Sequence, residues 1–208
     1  RNLRRGWSNN KDGFAKSPDV NEVLQAAVEL QLVLQNQDWH YCFIGGVALL
    51  RWGDPRETVD VDVTLLTGFG TEEPYVRKLA SEFQSRIPNA AEFALQHRVL
   101  LLKSRAGVGL DIALAALPFE DLAIRRSTFF RFGPKVLLKT CSAEDLIVMK
   151  AFAARAKDWV DIEGIVIRQS PKLDWSHVER ELAPLAEIKG EPEILLQLRS
   201  IRSRHSTS

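Results

Sequence analysis

The apolar positions before residue 40 recur at helical spacing. Apolar side chains stand three or four residues apart there, which is the pattern of a helix with one buried face. We therefore predict a helix that begins at about Pro18, and a second helix over residues 73–86 that ends before Pro88. The apolar positions of the first helix are Val20, Val23, Leu24, Ala27, Leu30 and Leu34.

Short apolar runs with the spacing of strands follow. Residues 41–45 are apolar and end in a glycine pair, and residues 58–66 alternate with period two over most of their length. Such alternation places successive side chains on opposite faces of a sheet. Residues 98–103 and 109–115 are predicted as two further strands. Residues 129–138 are predicted as a hairpin that turns at Gly133-Pro134.

After residue 142 the pattern predicts helices alone. Ser142 is a good N-cap, and Glu144 and Asp145 favour the positive end of the helix. We therefore predict an α+β fold, with a mixed β-sheet flanked by helices over residues 18–140 and a C-terminal helical lobe over residues 141–203. Residues 1–17 and 204–208 are predicted to be flexible tails.

Composition and charge narrow the function only slightly. The net charge is +1, but basic residues concentrate at both ends, where they form either solvated tails or arms that contact phosphate backbones. Cys42 and Cys141 have apolar neighbours and are predicted to be buried thiols of a reducing compartment. No apolar run reaches the roughly 18 residues of a membrane span. We expect a cytoplasmic protein with no membrane partner.

Two aspartates alternate with valines on the second predicted strand. Asp60 and Asp62 share one face, whereas Val59, Val61 and Val63 are predicted to face the core. Two neighbouring carboxylates repel each other unless a cation lies between them, and such oxygen ligands suit Mg²⁺. The same alternation also occurs in any half-exposed antiparallel strand.

A third acid lies in the apolar run of residues 109–115. Asp111 is predicted to share a face with Ala113 and Ala115, whose small side chains leave room for a metal or ligand. A carboxylate in such a strand needs a partner, because an unpaired buried charge is costly. The alternative partner is a nearby arginine such as Arg98.

A glycine pair precedes the Asp-x-Asp strand. Gly45 and Gly46 lead into a helix-like segment, and a glycine turn that opens a helix lets backbone N–H groups approach a phosphate. Alone, such a pair also marks an ordinary turn.

The order of these elements resembles the nucleotidyltransferase superfamily of DNA polymerase β. That pattern is a Gly-Gly or Gly-Ser turn, an Asp-x-Asp pair roughly a dozen residues later, and a third acid on a later strand. Here Gly46 precedes Asp60 by 14 residues. The sequence departs from the pattern at Val47, which follows the glycine pair, so the turn has no serine.

Within the superfamily, the sequence is most similar to the AbiEii-type toxins and their bacterial relatives. Arg56-x-Thr58-x-Asp60-x-Asp62 resembles their Arg-x-Ser/Thr-x-Asp-x-Asp form. A later helical stretch resembles their motif of a lysine, an Arg-Asp element and a further aspartate. That stretch also fits a solvated ladder of ion pairs on one helix face. Its residues are Lys150, Arg155, Lys157, Asp158 and Asp161.

The resemblance implies an activity and a role for each site residue. The implied reaction transfers a nucleoside monophosphate from an NTP to an acceptor hydroxyl. Two Mg²⁺ ions about 3.5–4 Å apart, or Mn²⁺, would hold the reacting oxygens. Asp60, Asp62 and Asp111 would bind these metals and carry catalysis. The implied nucleotide-binding residues are Gly45, Gly46, Arg56, Thr58, Lys150 and Asp158.

Three alternatives for the substrate and function stay open in the sequence. The acceptor is tRNA or another RNA if the protein is a toxin with an antitoxin partner. It is a small molecule if the protein modifies antibiotics. The missing serine leaves a third possibility, an inactive nucleotide-binding or interaction module on the same fold.

Overall fold

The structure is a computed structural model that describes residues 20–205 and, for Val20, the backbone alone. Seven strands and nine helices are found in this range. The strands are β1 (Tyr41–Phe43), β2 (Asp60–Leu66), β3 (Gln84–Ser85), β4 (Val99–Lys103), β5 (Gly109–Ala115), β6 (Thr128–Gly133) and β7 (Val136–Thr140). The helices are α1 (Val20–Asn36), α2 (Gly45–Trp52), α3 (Glu73–Glu82), α4 (Ala90–His97), α5 (Pro118–Arg126), α6 (Ala143–Ala153), α7 (Ala156–Gln169), α8 (Trp175–Lys189) and α9 (Glu193–His205).

The strands form one mixed sheet in the order β3-β4-β5-β2-β1-β7-β6. The central pair β2 and β5 is parallel, as is the pair β1 and β7, and the other neighbours are antiparallel. The hairpin predicted at Gly133-Pro134 is confirmed as β6 and β7. The predicted fold class, a mixed sheet flanked by helices, is confirmed.

One face of the sheet is buried beneath α1, α3 and α4. Val61, Val63 and Leu65 of β2 point to this side, and the alternate residues of β4 and β5 do the same. Val59 does not, because β2 begins only at Asp60 and the Val59 side chain is 45% exposed. The prediction that Val59 faces the core was therefore wrong.

The other face is covered over part of its width by α2, α5 and the C-terminal helices. Ala48 and Leu49 of α2 and Ala115 of β5 pack in one apolar cluster with residues of α6–α9. Among residues 141–205 there is no strand, as the pattern after Ser142 predicted. Ser142 is the N-cap of α6 and accepts a hydrogen bond from the backbone N–H of Asp145.

The structure differs from the predicted elements between residues 82 and 126. The helix predicted over residues 73–86 ends at Glu82, and Gln84–Ser85 instead pairs with β4 at the sheet edge. The sequence analysis did not predict the short helices α4 and α5. Both have only eight or nine residues, too few to establish a helical period clearly.

The C-terminal helix is longer than predicted. α9 continues through His205, two residues into the predicted tail, because Arg204 and His205 both contact Glu163 of α7. The tail predicted for residues 1–17 lies outside the described residues. Cys42 and Cys141 are buried free thiols. No helix within residues 20–205 combines the length and the apolar character that membrane crossing demands.

Candidate active site

The three predicted catalytic acids lie side by side on the two central strands. Asp62 of β2 is in register with Asp111 of β5, and Asp60 is in register with Gly109. Registered residues of adjacent strands share a face, so all three carboxylates stand on the side opposite the α1 core. The backbone positions agree with the prediction that Asp111 and the Asp60–Asp62 pair share a face.

The crowding of these acids changes their proton affinity. Burial, together with the charges of Asp60 and Asp111, raises the pKa of Asp62 from 3.8 to about 6. A hydrogen bond from the Gly46 backbone N–H and the charge of Lys150 oppose this rise. Burial likewise raises the pKa of Asp111, against the opposing effect of Arg86. The site therefore has an excess of negative charge that a bound cation would relieve.

Arg86, which follows β3, is the cation paired with Asp111. Its Nη2 lies 2.6 Å from Asp111 Oδ1. The guanidinium lies over Gly109, where a Cβ atom would be 2.6 Å from Nη1, so a larger residue there would displace it. Arg98, which the sequence suggested as an alternative partner of Asp111, instead pairs with Glu72.

The acids fit a divalent cation in their chemistry and in their backbone positions. Asp111 Oδ1 is buried, and its contact with Arg86 is an ion pair without hydrogen-bond geometry, so the oxygen still lacks a hydrogen bond. The side chains do not yet form a closed ligand set. No cluster of three His, Cys, Asp or Glu residues within the described range is tight enough to hold an ion. A metal at Asp111 would take the place of the Arg86 guanidinium.

The glycine pair begins α2 directly beside Asp62. Gly45 has φ +53°, and a Cβ atom on it would lie 2.0 Å from Asp62 Oδ2. A Cβ atom on Gly46 would lie 2.5 Å from the Thr58 side chain. Both glycines are thus required by close approach, and they bring the positive end of α2 to the acids.

The two residues that flank this turn have structural contacts. Val47 is fully buried in the α1 core, so the first side chain after the glycine pair faces away from the acids. Thr58 is also buried, and its hydroxyl donates to the Arg56 carbonyl at 3.5 Å. Any phosphate bound at this turn would therefore be contacted by backbone N–H groups.

An ion-pair network whose carboxylates and lysine are buried forms the opposite wall. Lys150 Nζ lies 2.6 Å from Asp161 Oδ2 and 3.4 Å from Asp158 Oδ1. Arg56 donates two hydrogen bonds to Asp161, from Nε at 2.9 Å and from Nη2 at 3.1 Å. Burial opposes the charged form of Asp161, but the hydrogen bonds from Arg56 and Lys150 outweigh it and lower its pKa. Asp161 thus anchors two cations of the predicted site.

A solvated ladder on α7 is not what the structure shows. Asp158 and Asp161 are buried, and Asp161 pairs with residues of other elements rather than with Lys157, which is exposed. Asp158 also accepts a hydrogen bond from the Arg155 backbone N–H at the start of α7.

A cavity of about 310 Å³ lies between the acids and this network. Every residue that the sequence analysis assigned to the site lines it, so the structure brings all of them together. These residues are Gly45, Gly46, Arg56, Thr58, Asp60, Asp62, Asp111, Lys150 and Asp158. The remaining lining residues are Ile44, Glu57, Val59, Leu146, Met149, Ala153, Arg155 and Lys157.

Sequence reasoning missed the two residues that control the charges of the site. Arg86 is distant in sequence from the acids, and only the pairing of β3 with β4 brings it near Asp111. Asp161 was noted in the helical motif but was not assigned to the site. No spacing signal was available, because Lys150 lies on α6 and Asp161 on α7, and the helix is interrupted at Ala154 and Arg155 between them.

The fold and the site together define a class of protein. A glycine turn that opens a helix, an Asp-x-Asp strand and a third acid on the adjacent strand form the arrangement expected of the nucleotidyltransferase fold. The family described as "Nucleotidyl transferase AbiEii toxin, Type IV TA system" matches residues 29–182. The match covers most of the chain, so the protein belongs to this family and is a nucleotidyltransferase. A search of curated proteins finds no significant match.

Solved structures with a similar fold include a nucleotidyltransferase-like protein and antibiotic adenylyltransferases. An antigenic nucleotidyltransferase-like protein from Paracoccidioides brasiliensis is 18% identical, with a TM-score of 0.49 over 87% of this chain and 94% of that one. The lincomycin-bound lincosamide adenylyltransferase LnuA is 14% identical, with a TM-score of 0.47 over 68% of this chain and 94% of that one. The enzyme ANT(2")-Ia in complex with adenylyl-2"-tobramycin is 14% identical, with a TM-score of 0.42 over 87% and 97%.

Proposed function

We propose that the protein transfers a nucleoside monophosphate from an NTP to a hydroxyl of an RNA acceptor such as tRNA, and that the reaction depends on Mg²⁺ or Mn²⁺. The observation that carries this proposal is the row of three carboxylates on β2 and β5 at the wall of a cavity that the glycine turn also lines. Membership of a toxin–antitoxin family supports an antitoxin partner.

The acids would hold the metal ions. Asp60 and Asp62 would bind both ions and Asp111 the one on the acceptor side, and the bound metals would neutralise the charge that develops on the phosphoryl oxygens. Asp111 would also accept the proton of the acceptor hydroxyl as its oxygen attacks the α-phosphate.

The other walls would bind and orient the nucleotide. The backbone N–H groups at Gly45 and Gly46 would contact the β- and γ-phosphates at the positive end of α2. Lys150 and Arg56 supply positive charge from the opposite wall. Asp158 would accept a hydrogen bond from the sugar or base. Catalysis then rests on positioning and charge neutralisation.

The test incubates the protein with each α-³²P-labelled NTP, Mg²⁺ and bulk tRNA, and follows where the label goes. We expect label in the RNA with one or more NTPs, and no transfer by Asp62→Asn or in the presence of EDTA. Parallel reactions with lincomycin and tobramycin test the small-molecule alternative. Label in an antibiotic would disprove the RNA acceptor, whereas NTP binding without any transfer would favour an inactive module.

A further inference from the structure

The sheet has a partly uncovered face beside the three acids. On β4 and β5 the residues that face α1, α3 and α4 are buried, whereas those on the acid side, apart from Ala115, remain partly exposed. Strand pairing places Arg86 and Gln84 of the β3 segment on the same side. We call this surface the open face. It consists of Val99, Leu101, Lys103, Gly109, Asp111 and Ala113, with Gln84 and Arg86 at its edge.

The charges of the open face are mainly positive. Lys103 is in register with Gly109, which is in register with Asp60, so Lys103 shares a face with the acids at a distance of two strands. Within the described residues, the side chain of Lys103 has no ion-pair or hydrogen-bond partner. Asp111 is the one carboxylate that β3, β4 and β5 contribute to this face, and Arg86 already pairs with it.

We propose that the open face docks the sugar-phosphate backbone of the RNA acceptor, with Lys103 contacting one phosphate and the Arg86 guanidinium, released from Asp111 where a metal binds, contacting another. This inference rests on the proposed function, because it assigns the acceptor side of the same site. The face is continuous with the cavity through Asp111, which belongs to both. An RNA strand that lies on β4 and β5 therefore brings its terminal hydroxyl to the three acids.

The chemistry of the face selects a polyanionic acceptor over a polycationic one. Asp60 and Asp62 border this face on β2, but on the face itself Lys103 and Arg86 outnumber Asp111, and both cations repel a polycationic antibiotic. A phosphodiester chain gains from both cations and releases counterions when it binds. Val99 and Leu101 add apolar surface to this face, on which a base can stack.

The test measures binding of a fluorescein-labelled single-stranded RNA by anisotropy over a series of salt concentrations. Lys103→Gln should lower the salt slope of log affinity by about 1, and Lys103→Glu should weaken binding by about tenfold. Lys103→Arg should retain binding. Lys135→Glu is the matched control, since Lys135 is an exposed lysine on the β6–β7 hairpin at the other edge of the sheet. Thermal unfolding confirms that each variant is folded.

Metal-dependent NTP binding, measured on the same samples, separates this inference from the proposed function. Unchanged NTP binding with a Lys103-specific loss of RNA binding supports the docking surface. Equal losses in the Lys103→Glu and Lys135→Glu variants, tighter binding of tobramycin than of RNA, or a Lys103-dependent dimer would each overturn it. If the wild-type protein binds no NTP, the proposed function fails, while a Lys103-specific loss of RNA binding would still support the surface.

Discussion

At the scale of single residues, Asp62 is the group whose ionisation most clearly destabilises the folded protein. Its pKa is raised from 3.8 to about 6, so between these values the folded state binds more protons than the unfolded state. Stability that depends on this group is therefore fully present below pH 3.8 and lost as the pH rises through about 6. The charged site is destabilising in the absence of metal, which is the usual condition of a preformed cation site.

We predict that Asp62→Asn stabilises the metal-free protein by about 1–3 kcal/mol well above pH 6, and that the gain vanishes below pH 4. Urea unfolding across this pH range measures the effect. Mg²⁺ should stabilise the wild-type protein at high pH and leave the variant unchanged. Glu92→Gln, an exposed change on α4, is the control. A variant that is less stable than the wild type at high pH would contradict the charge argument.

Arg86 is the second residue whose effect can be isolated. Because its guanidinium pairs with Asp111, we predict that Arg86→Gln raises the affinity for Mn²⁺ several-fold, as no side-chain cation then competes for that carboxylate. Electron paramagnetic resonance of free Mn²⁺ measures this without any turnover. Arg77→Gln is the control, since Arg77 pairs with Glu73 on the exposed side of α3. A lower Mn²⁺ affinity would show instead that Arg86 positions Asp111.

The sequence could predict the three acids of the site, but it could not predict the arginine that pairs with Asp111. The face shared by Asp60 and Asp62 follows from the period of a strand, and the apolar run around Asp111 predicts another strand in the same sheet. The partner of Asp111 could not be predicted in this way. Arg86 reaches it across β4, and the two-residue strand β3 that carries Arg86 there has no pattern of its own.

At the scale of elements, the contact between α6, α7 and the segment before β2 depends on Asp161. This buried carboxylate holds Lys150 and Arg56 at once, so its neutralisation leaves a buried ammonium with Asp158 alone. The sequence predicted that the residues after Ser142 are helical, but it did not separate α6 from α7. The network between these helices could not be predicted, because the pattern of one helix does not show which side chains of two helices meet.

We predict that Asp161→Asn destabilises the protein by about 3–5 kcal/mol, the cost of breaking a buried ion pair, and also weakens NTP binding because Lys150 and Arg56 lose their anchor. Glu163→Gln, on the same helix, removes exposed pairs with Arg204 and His205 and should cost at most about 1 kcal/mol. Urea unfolding and NTP titration measure both. Equal losses of stability in the two variants would show that Asp161 is an ordinary surface acid.

At the scale of the whole molecule, the sheet is stabilised from both sides. The sequence predicted a boundary near residue 140 between the sheet and a helical lobe. The second apolar cluster crosses that boundary, because Cys42 of β1, Leu49 of α2 and Phe119 of α5 pack with the C-terminal helices. A change from mixed to helical patterning marks where the elements change, but it does not show whether the two parts share a core.

This shared core leads to a prediction about truncation. We expect a fragment that ends at Thr140 to lack a cooperative unfolding transition, because removal of α6–α9 exposes the apolar surface of β1, α2 and α5 to water. Co-expression with residues 141–208 should restore the transition and the binding of NTP, since both walls of the cavity would again be present. Circular dichroism during thermal unfolding, and an NMR spectrum of the fragment, measure the outcome. A fragment with dispersed amide signals and a sharp transition would show that the sheet is an independent domain and that the helices serve only to complete the cavity.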